Sequence, residues 1–537
     1  MTSLTLPSAS RKPYDIPGDF DDEERKGLLS GAEGSSSHWK AEAVDLEPDA
    51  PRGWSQNKLI GTAAAFITLL ITGAFARTLL LSPPPHPNLL FHGEGVRSNG
   101  THDFKRTVLI VSIDGLRADY LDRGLTPHLL DISKQGLRAK AMVPIFPVSE
   151  LIRVHFRDLF TAMQTLTFPN HWALMTGLYA ESHGIVGNNF WDPASESEFH
   201  YNQIQSAWNP SWWFGEPMWE TAGKAGIVTA NLMWPGPPKT TSGASSTYFI
   251  PWKDKVPLKE KLDQIVEWID LPFQERPQLI MAYEPSLDQA GHKAGPMSAL
   301  VNKTLVQVDV FAKDLHTVLT ARNLTDIVDI VFVSDHGMTD TSHPEMIYMD
   351  DILGADGLEA IAHEDGWPSM GLRFAPHANT SALLARLRTA AAATPGKFVV
   401  HTHDTMPSRW HFTQNERIAP IYVVPQIGYA LTTKAEGDVG MSKGNHGYDN
   451  GAPSMHAMFV AHGPFSSVVK ALHQRRSTNL ARSFLSRPNK GWHSTADDTY
   501  VMDAFPNVQI YSLVMRLLGV ARPAPTNGTA AFWDKYF

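Results

Sequence analysis

Residues Thr107–Gly115 read TVLIVSIDG, seven residues dominated by β-branched and aliphatic side chains and closed by an Asp-Gly pair. A continuous apolar run of that length has no polar face, so it suits a strand buried on both sides. Gln278–Tyr283 (QLIMAY) and Asp329–Ser334 (DIVFVS) repeat the pattern, with helical stretches between. Such strands alternating with helices predict an α/β fold: a mostly parallel central sheet with helices on both faces.

Working outward, each run ends in residues that bind metals. Asp114 closes the first in SIDG, Asp288 and His292 follow the second in DQAGH, and Asp335 with His336 follow the third in SDHG. His446 in GNHGYDN is a fourth contributor. Sites in open α/β sheets form outside the carboxyl ends of the strands, so these endings converge on one crevice. Carboxylates and imidazoles without sulfur suit zinc, and an oxygen-rich site also accepts manganese or other divalent ions. Singly, each Asp also reads as a helix cap and each His as a surface or core residue. Their recurrence at successive strand ends favours a metal centre. Thr165–Asn188 (TLTFPNHWALMTGLYAESHGIVGN) adds Thr167 ahead of a run that can begin a helix after Pro169. A threonine hydroxyl is a weak nucleophile that metal coordination activates; the plainer role is a helix cap.

At 537 residues and 43% hydrophobic content, the chain suits one large domain with appendages. A net charge of −9 provides no basic face, which excludes a nucleic acid polymer as partner. There is no cysteine, so neither a disulfide nor a thiolate ligand is available.

The ordered motifs SIDG, TFPNH, TGLYAESHGIV, DQAGHKAGP, SDHGM and HGYDN, followed by MHAMFVAHGPF, resemble the nucleotide pyrophosphatase/phosphodiesterase family of the alkaline phosphatase superfamily over roughly residues 107–518. The resemblance implies an alkaline-phosphatase-like fold, two zinc ions and a nucleotide or nucleotide-ester substrate, and it points to a fungal type II membrane member. It implies hydrolysis of phosphodiester and pyrophosphate bonds, nucleoside triphosphate to monophosphate plus diphosphate, through a threonyl-nucleotide intermediate. One zinc would be held by Asp114, Thr167, Asp335 and His336, the other by Asp288, His292 and His446. Asn188 matches the asparagine that steadies a phosphate oxygen. Phe168 and Trp234 match positions lining a nucleobase pocket, with Tyr248 a looser match for the opposite stacking face. The superfamily also hosts lipid phosphodiesterases and phosphomonoesterases, and the sequence leaves those activities open. Sulfatase chemistry is disfavoured, since its modified Cys or Ser motif is absent.

Residues 1–57, rich in Ser, Gly, Pro, Asp and Glu, predict a disordered cytosolic tail. Residues 58–81 contain the uncharged run Leu59–Ala76 and predict a retained transmembrane helix. Residues 82–105, opening SPPPHP, predict a stiff stalk, 106–522 the catalytic domain and 523–537 a C-terminal tail. Glycosylation acceptor triplets at Asn99, Asn302, Asn323, Asn379 and Asn527 all follow the span. They place the catalytic part in a lumenal or extracellular space, as a single-pass type II protein of the plasma membrane, vacuole or secretory pathway. Oligomeric state is not encoded in any motif.

One segment departs from the family pattern. Val148–Gln164 (VSELIRVHFRDLFTAMQ) separates IFP from TLTFPNH, which the family joins almost directly. Val-Ser is what a GTRAGT splice donor encodes in frame, Gln164 can be read CAG, and 17 codons preserve the frame, so the segment reads as a retained intron. The alternative is a surface loop that leaves Thr167 in place. A third reading, a non-catalytic membrane-tethered binding protein, is opposed by the intact set of seven ligands.

Overall fold

The computed structural model describes residues 67–73, 95–146, 167–438, 441–470, 492–494, 500–529 and 531–536. The expected tail, most of the expected span and stalk, and the Val148–Gln164 insert lie outside them. Within the expected span, residues 67–73 are helical. No helix among the described residues is long and apolar enough to cross a membrane.

Nine strands form the central sheet among the described residues: β1 (Thr107–Ile113), β2 (Leu137–Ala139), β3 (Thr229–Leu232), β4 (Tyr248–Ile250), β5 (Leu279–Glu284), β6 (Val328–Val333), β7 (Phe459–His462), β8 (Trp492–Ser494) and β9 (Tyr500–Met502). Their spatial order is β8-β9-β2-β7-β6-β1-β5-β3-β4. The run from β6 to β4 is parallel, while β7 lies antiparallel to both β6 and β2. The sheet is therefore mixed, and the three apolar runs of the sequence form its parallel centre. Ser112 of β1 is in register with Tyr283 of β5 and with Val333 of β6, so the three carboxyl ends finish side by side.

Helices α1 (Pro127–Gln135), α2 (Thr167–Thr176), α3 (Leu258–Ile269), α4 (Ser286–Ala294), α5 (Ala299–Ala321) and α6 (Gln509–Leu518) are the elements that matter for the site. The two-residue period of a strand divides β1 between two cores. Val108 and Ile110 pack with Met281 and Val331 beneath α2 and α6. Leu109, Val111 and Ile113 pack with Ile280 and Phe332 beneath α1, α3 and α5. Burial on both faces is why the run carries no polar alternation; each such aliphatic side chain contributes roughly 1.5–3 kcal/mol.

A second, four-stranded antiparallel sheet (residues 361–365, 370–374, 421–425 and 398–402) closes its own core on the helix Thr380–Ala393 through Leu372, Leu383, Leu387 and Val423. The chain leaves the central sheet after Asp335 and His336, builds this unit and returns. On return, Gly444–Asn445 pairs antiparallel with Thr339–Asp340. Both ends of the sequence-assigned domain reach further than expected. Phe104, assigned to the stalk, is buried beneath the Arg276 guanidinium, 3.9 Å from its ring. Trp533 and Tyr536, assigned to the tail, are buried, with Trp533 Nε1 donating to Gln509 O at 2.8 Å.

Candidate active site

Asp114 is the first residue beyond β1 and is fully buried. Its follower Gly115 has φ +68°, and a Cβ there would come within 3.0 Å of Asp288 Cα, so glycine lets the end of β1 approach the first turn of α4. Asp288 and His292 lie one turn apart on α4, on the same helix face. Asp335 and His336 follow β6, with Asp335 Oδ1 accepting from Gly115 N at 3.3 Å. His446 arrives from far along the chain because its neighbours Gly444–Asn445 pair with Thr339–Asp340.

These residues and Thr167 meet in one buried cluster. Thr167, the first residue of α2, donates its hydroxyl to Asp114 Oδ2 at 3.2 Å. His336 Nε2 lies 3.3 Å from Asp114 Oδ1 and 3.0 Å from Asp335 Oδ2. On the other side, His292 Nε2 and His446 Nε2 each lie 3.3 Å from Asp288 Oδ1. The His336 and His446 rings stack at 3.4 Å and join the two halves.

Burial and the negative neighbours Asp335 and Asp288 push the Asp114 carboxyl well above its usual range. Burial also opposes ionisation of Asp288, but His292 and His446 overcome it and hold that carboxyl below its usual range. Asp335 is brought down to about 2 by His336 and His171, again against burial. His446 is pushed down to about 3 by burial and by His336. Three buried carboxylates at such distances repel one another, and a divalent cation is the charge that relieves them.

The donor set fits that charge. Asp114 Oδ1, both oxygens of Asp288, Asp335 Oδ2 and His336 Nε2 are buried and make no hydrogen bond of good geometry. His292 and His336 each direct Nδ1 at a backbone carbonyl, Gly444 O and Gly337 O, both at 2.9 Å. That contact fixes the tautomer and presents Nε2 to the cluster, as in histidine metal ligands. Two triads bring one ligand atom each within 4.8 Å of one another: Asp288, His292 and His446, and Asp114, Asp288 and His336. Asp288 belongs to both.

Around the cluster, Asn188 is buried and its Oδ1 accepts from Phe168 N at 3.2 Å. Phe168 is half-buried, with Tyr201 and Trp213 at 5.5 and 6.0 Å, an aromatic wall beside Thr167. Trp234 is buried, its ring edge-on to His171 at 5.2 Å. Tyr248 is not brought to this group. It packs on Trp268 in the core beneath α3, with its hydroxyl donating to Glu275 O at 3.1 Å. Two groups to which the sequence assigns no role touch the cluster. Tyr283 donates its hydroxyl to Asp114 Oδ2 at 2.5 Å, and His171 Nδ1 lies 3.4 Å from Asp335 Oδ2. Tyr283 closes the apolar run QLIMAY and His171 stands in TFPNH, so both were visible as strand-end and motif residues.

Asn323, Asn379 and Asn527 are exposed, and Asn99 and Asn302 are half-exposed.

The model of the family described as type I phosphodiesterase / nucleotide pyrophosphatase matches residues 108–449. The chain is 37% identical to an uncharacterized pyrophosphatase/phosphodiesterase of Schizosaccharomyces pombe, over 69% of this chain and 73% of that one. It is 32% identical to ectonucleotide pyrophosphatase/phosphodiesterase 1 of Saccharomyces cerevisiae, over 68% of this chain and 54% of that one. It is 30% identical to family member 3 of the mouse over 79% of this chain, and it spans only 43% of that relative's length. Among solved structures, an inactive threonine-to-alanine variant of murine ectonucleotide pyrophosphatase/phosphodiesterase 5 in complex with AMP superposes with a TM-score of 0.64 at 28% identity, covering 80% of this chain and 98% of that one.

Proposed function

The chain belongs to the type I phosphodiesterase / nucleotide pyrophosphatase family, hydrolases of phosphodiester and pyrophosphate bonds, and we propose that it cleaves nucleotide phosphodiesters and nucleoside triphosphates with Thr167 as nucleophile. The observation that carries this reading is the Thr167 hydroxyl placed 3.2 Å from Asp114 Oδ2 at the edge of a buried carboxylate–imidazole cluster. Asp114, Thr167, Asp335 and His336 would hold one divalent cation and Asp288, His292 and His446 a second, with zinc suited to this donor set. When bound, the pair supplies Lewis-acid stabilisation and an ionised nucleophile at neutral pH.

The chain's own residues account for the rest. Thr167 Oγ gives up its proton to solvent and attacks phosphorus in line with the leaving group; the Oγ–P bond forms as the bond to the leaving group breaks, which departs as diphosphate or, taking a proton from solvent, as an alcohol. Asn188, oriented by Phe168 N–H, steadies a non-bridging oxygen, and Phe168 offers a face for the base. Water then attacks the threonyl nucleotide from the opposite side, releasing the nucleoside monophosphate and restoring the Thr167 O–H. Two inversions give net retention at phosphorus.

A single-pass type II anchor is supported by the uncharged run Leu59–Ala76 and by the five acceptor asparagines beyond it. The test is hydrolysis of a nitrophenyl nucleotide ester against nitrophenyl phosphate. Preference for the diester, and loss of about 10³-fold or more in Thr167→Ala, is the expected result. Preference for the monoester refutes the proposal. Elemental analysis of the purified protein is expected to give two zinc ions per chain.

A further inference from the structure

His171 is buried and makes three polar contacts that no part of the reaction above uses. Its Nδ1 lies 2.6 Å from the backbone carbonyl of Thr167 and 3.4 Å from Asp335 Oδ2. Its Nε2 lies 2.8 Å from Ser112 Oγ, two residues before Asp114 on β1. Trp234 and Tyr283 hold the ring edge-on, at 5.2 and 5.0 Å. A carbonyl and a carboxylate only accept hydrogen bonds, so Nδ1 carries the proton. In the neutral ring Nε2 then accepts from the Ser112 hydroxyl. The ring is thus pinned from β1 on one side and donates its single N–H to the nucleophile's own carbonyl on the other, with the Asp335 carboxylate 3.4 Å away.

We infer that His171 is a positioning residue. Its Nδ1–H ties the Thr167 backbone through Ser112 to β1, the strand that carries Asp114, so that the Thr167 hydroxyl is held on the line of attack. This rests on Thr167 being the nucleophile. A shift of the Thr167 backbone carries that hydroxyl away from Asp114 Oδ2, and misplacement by about 1 Å costs on the order of 100-fold in rate.

Asparagine places an amide N–H close to where His carries Nδ1–H, and glutamine places one close to Nε2. On the nitrophenyl nucleotide ester, His171→Asn is expected to keep kcat within about tenfold, while His171→Gln loses about 100-fold. KM and the thermal unfolding midpoint should stay close to wild type in both. Equal losses in the two variants, or a larger loss in His171→Asn, overturn the assignment. Should either variant fail to accumulate as folded protein, Ser112→Ala carries the test. It frees the ring at Nε2 and should lower kcat about tenfold at constant KM, and an unchanged kcat counts against the inference. Thr167→Ala, assayed alongside, separates the two ideas. Wild-type turnover in that variant removes the nucleophile itself, whereas an inactive Thr167→Ala with indistinguishable His171 variants removes only the role of His171.

Discussion

Asp114 Oδ2 accepts two hydroxyls, Thr167 at 3.2 Å and Tyr283 at 2.5 Å, so a single oxygen orients the Thr167 side chain and is itself held by β5. Under the proposed reaction, Asp335→Ala should lose activity as completely as Thr167→Ala, because it removes one of the carboxylates that would hold a cation. Specificity separates from chemistry at Phe168. Phe168→Ala is expected to raise KM for nucleotide esters by about 10- to 100-fold, the worth of one base–aromatic stack, and to leave nitrophenyl phosphate turnover unchanged. Tyr248→Ala should leave both KM values alone; an equal rise there would return Tyr248 to the pocket. That Asp114, Asp288, Asp335 and His336 lie close together was readable in sequence because each follows closely on a strand whose apolar run is unmistakable. The place of Tyr248 was not, because it opens β4, a strand parallel to its neighbour β3, and so stands at the amino end of a strand whose extent no motif marks, whereas the crevice lies at the carboxyl ends.

At the scale of elements, the parallel centre formed by β1, β5 and β6 was legible because strands buried on both faces must be apolar throughout. The antiparallel β7 and the return of Gly444–Asn445 to Thr339–Asp340 were not, since each depends on pairing between distant segments. The Val148–Gln164 insert belongs to this scale. Its flanks are tied together independently of it: Ile145 N donates to Asn170 Oδ1 at 2.9 Å, Asn507 Nδ2 donates to the same oxygen at 2.9 Å, and Phe146 stacks on Trp410 at 3.9 Å. The chain therefore leaves and re-enters beside α2 at points that α2 itself secures. Deleting residues 148–164 is expected to keep kcat/KM within about threefold, since closing a shorter loop changes stability by only about 1 kcal/mol. A folded but inactive deletion would make the segment part of the enzyme, and mature transcript that retains these codons as its main form would sink the intron reading.

Over the whole molecule, two buried carboxyls outside the carboxylate–imidazole cluster set a pH response that no motif announced. Asp329, near the start of β6, accepts from Phe465 N at 2.8 Å, and Asp365 accepts from Trp191 N at 3.0 Å. Burial pushes both up to about 7, against the pull of these N–H donors. Between about pH 4 and 7 the native state therefore keeps protons that the unfolded chain has released, so their contribution to stability is full below pH 4 and declines as pH rises through 7. The decline amounts to at most about 4 kcal/mol per group, three units at ~1.36 kcal/mol each. Asparagine keeps the accepting oxygen and cannot ionise. Relative to wild type, Asp329→Asn and Asp365→Asn should each gain stability steadily from pH 4 to 7.5 in urea titrations and level off above. Comparing variants at each pH cancels the changing protonation of the carboxylate–imidazole cluster. A stability difference that stays constant across that range would mean that neither carboxyl is protonated in the fold, and that water or an unseen partner solvates both.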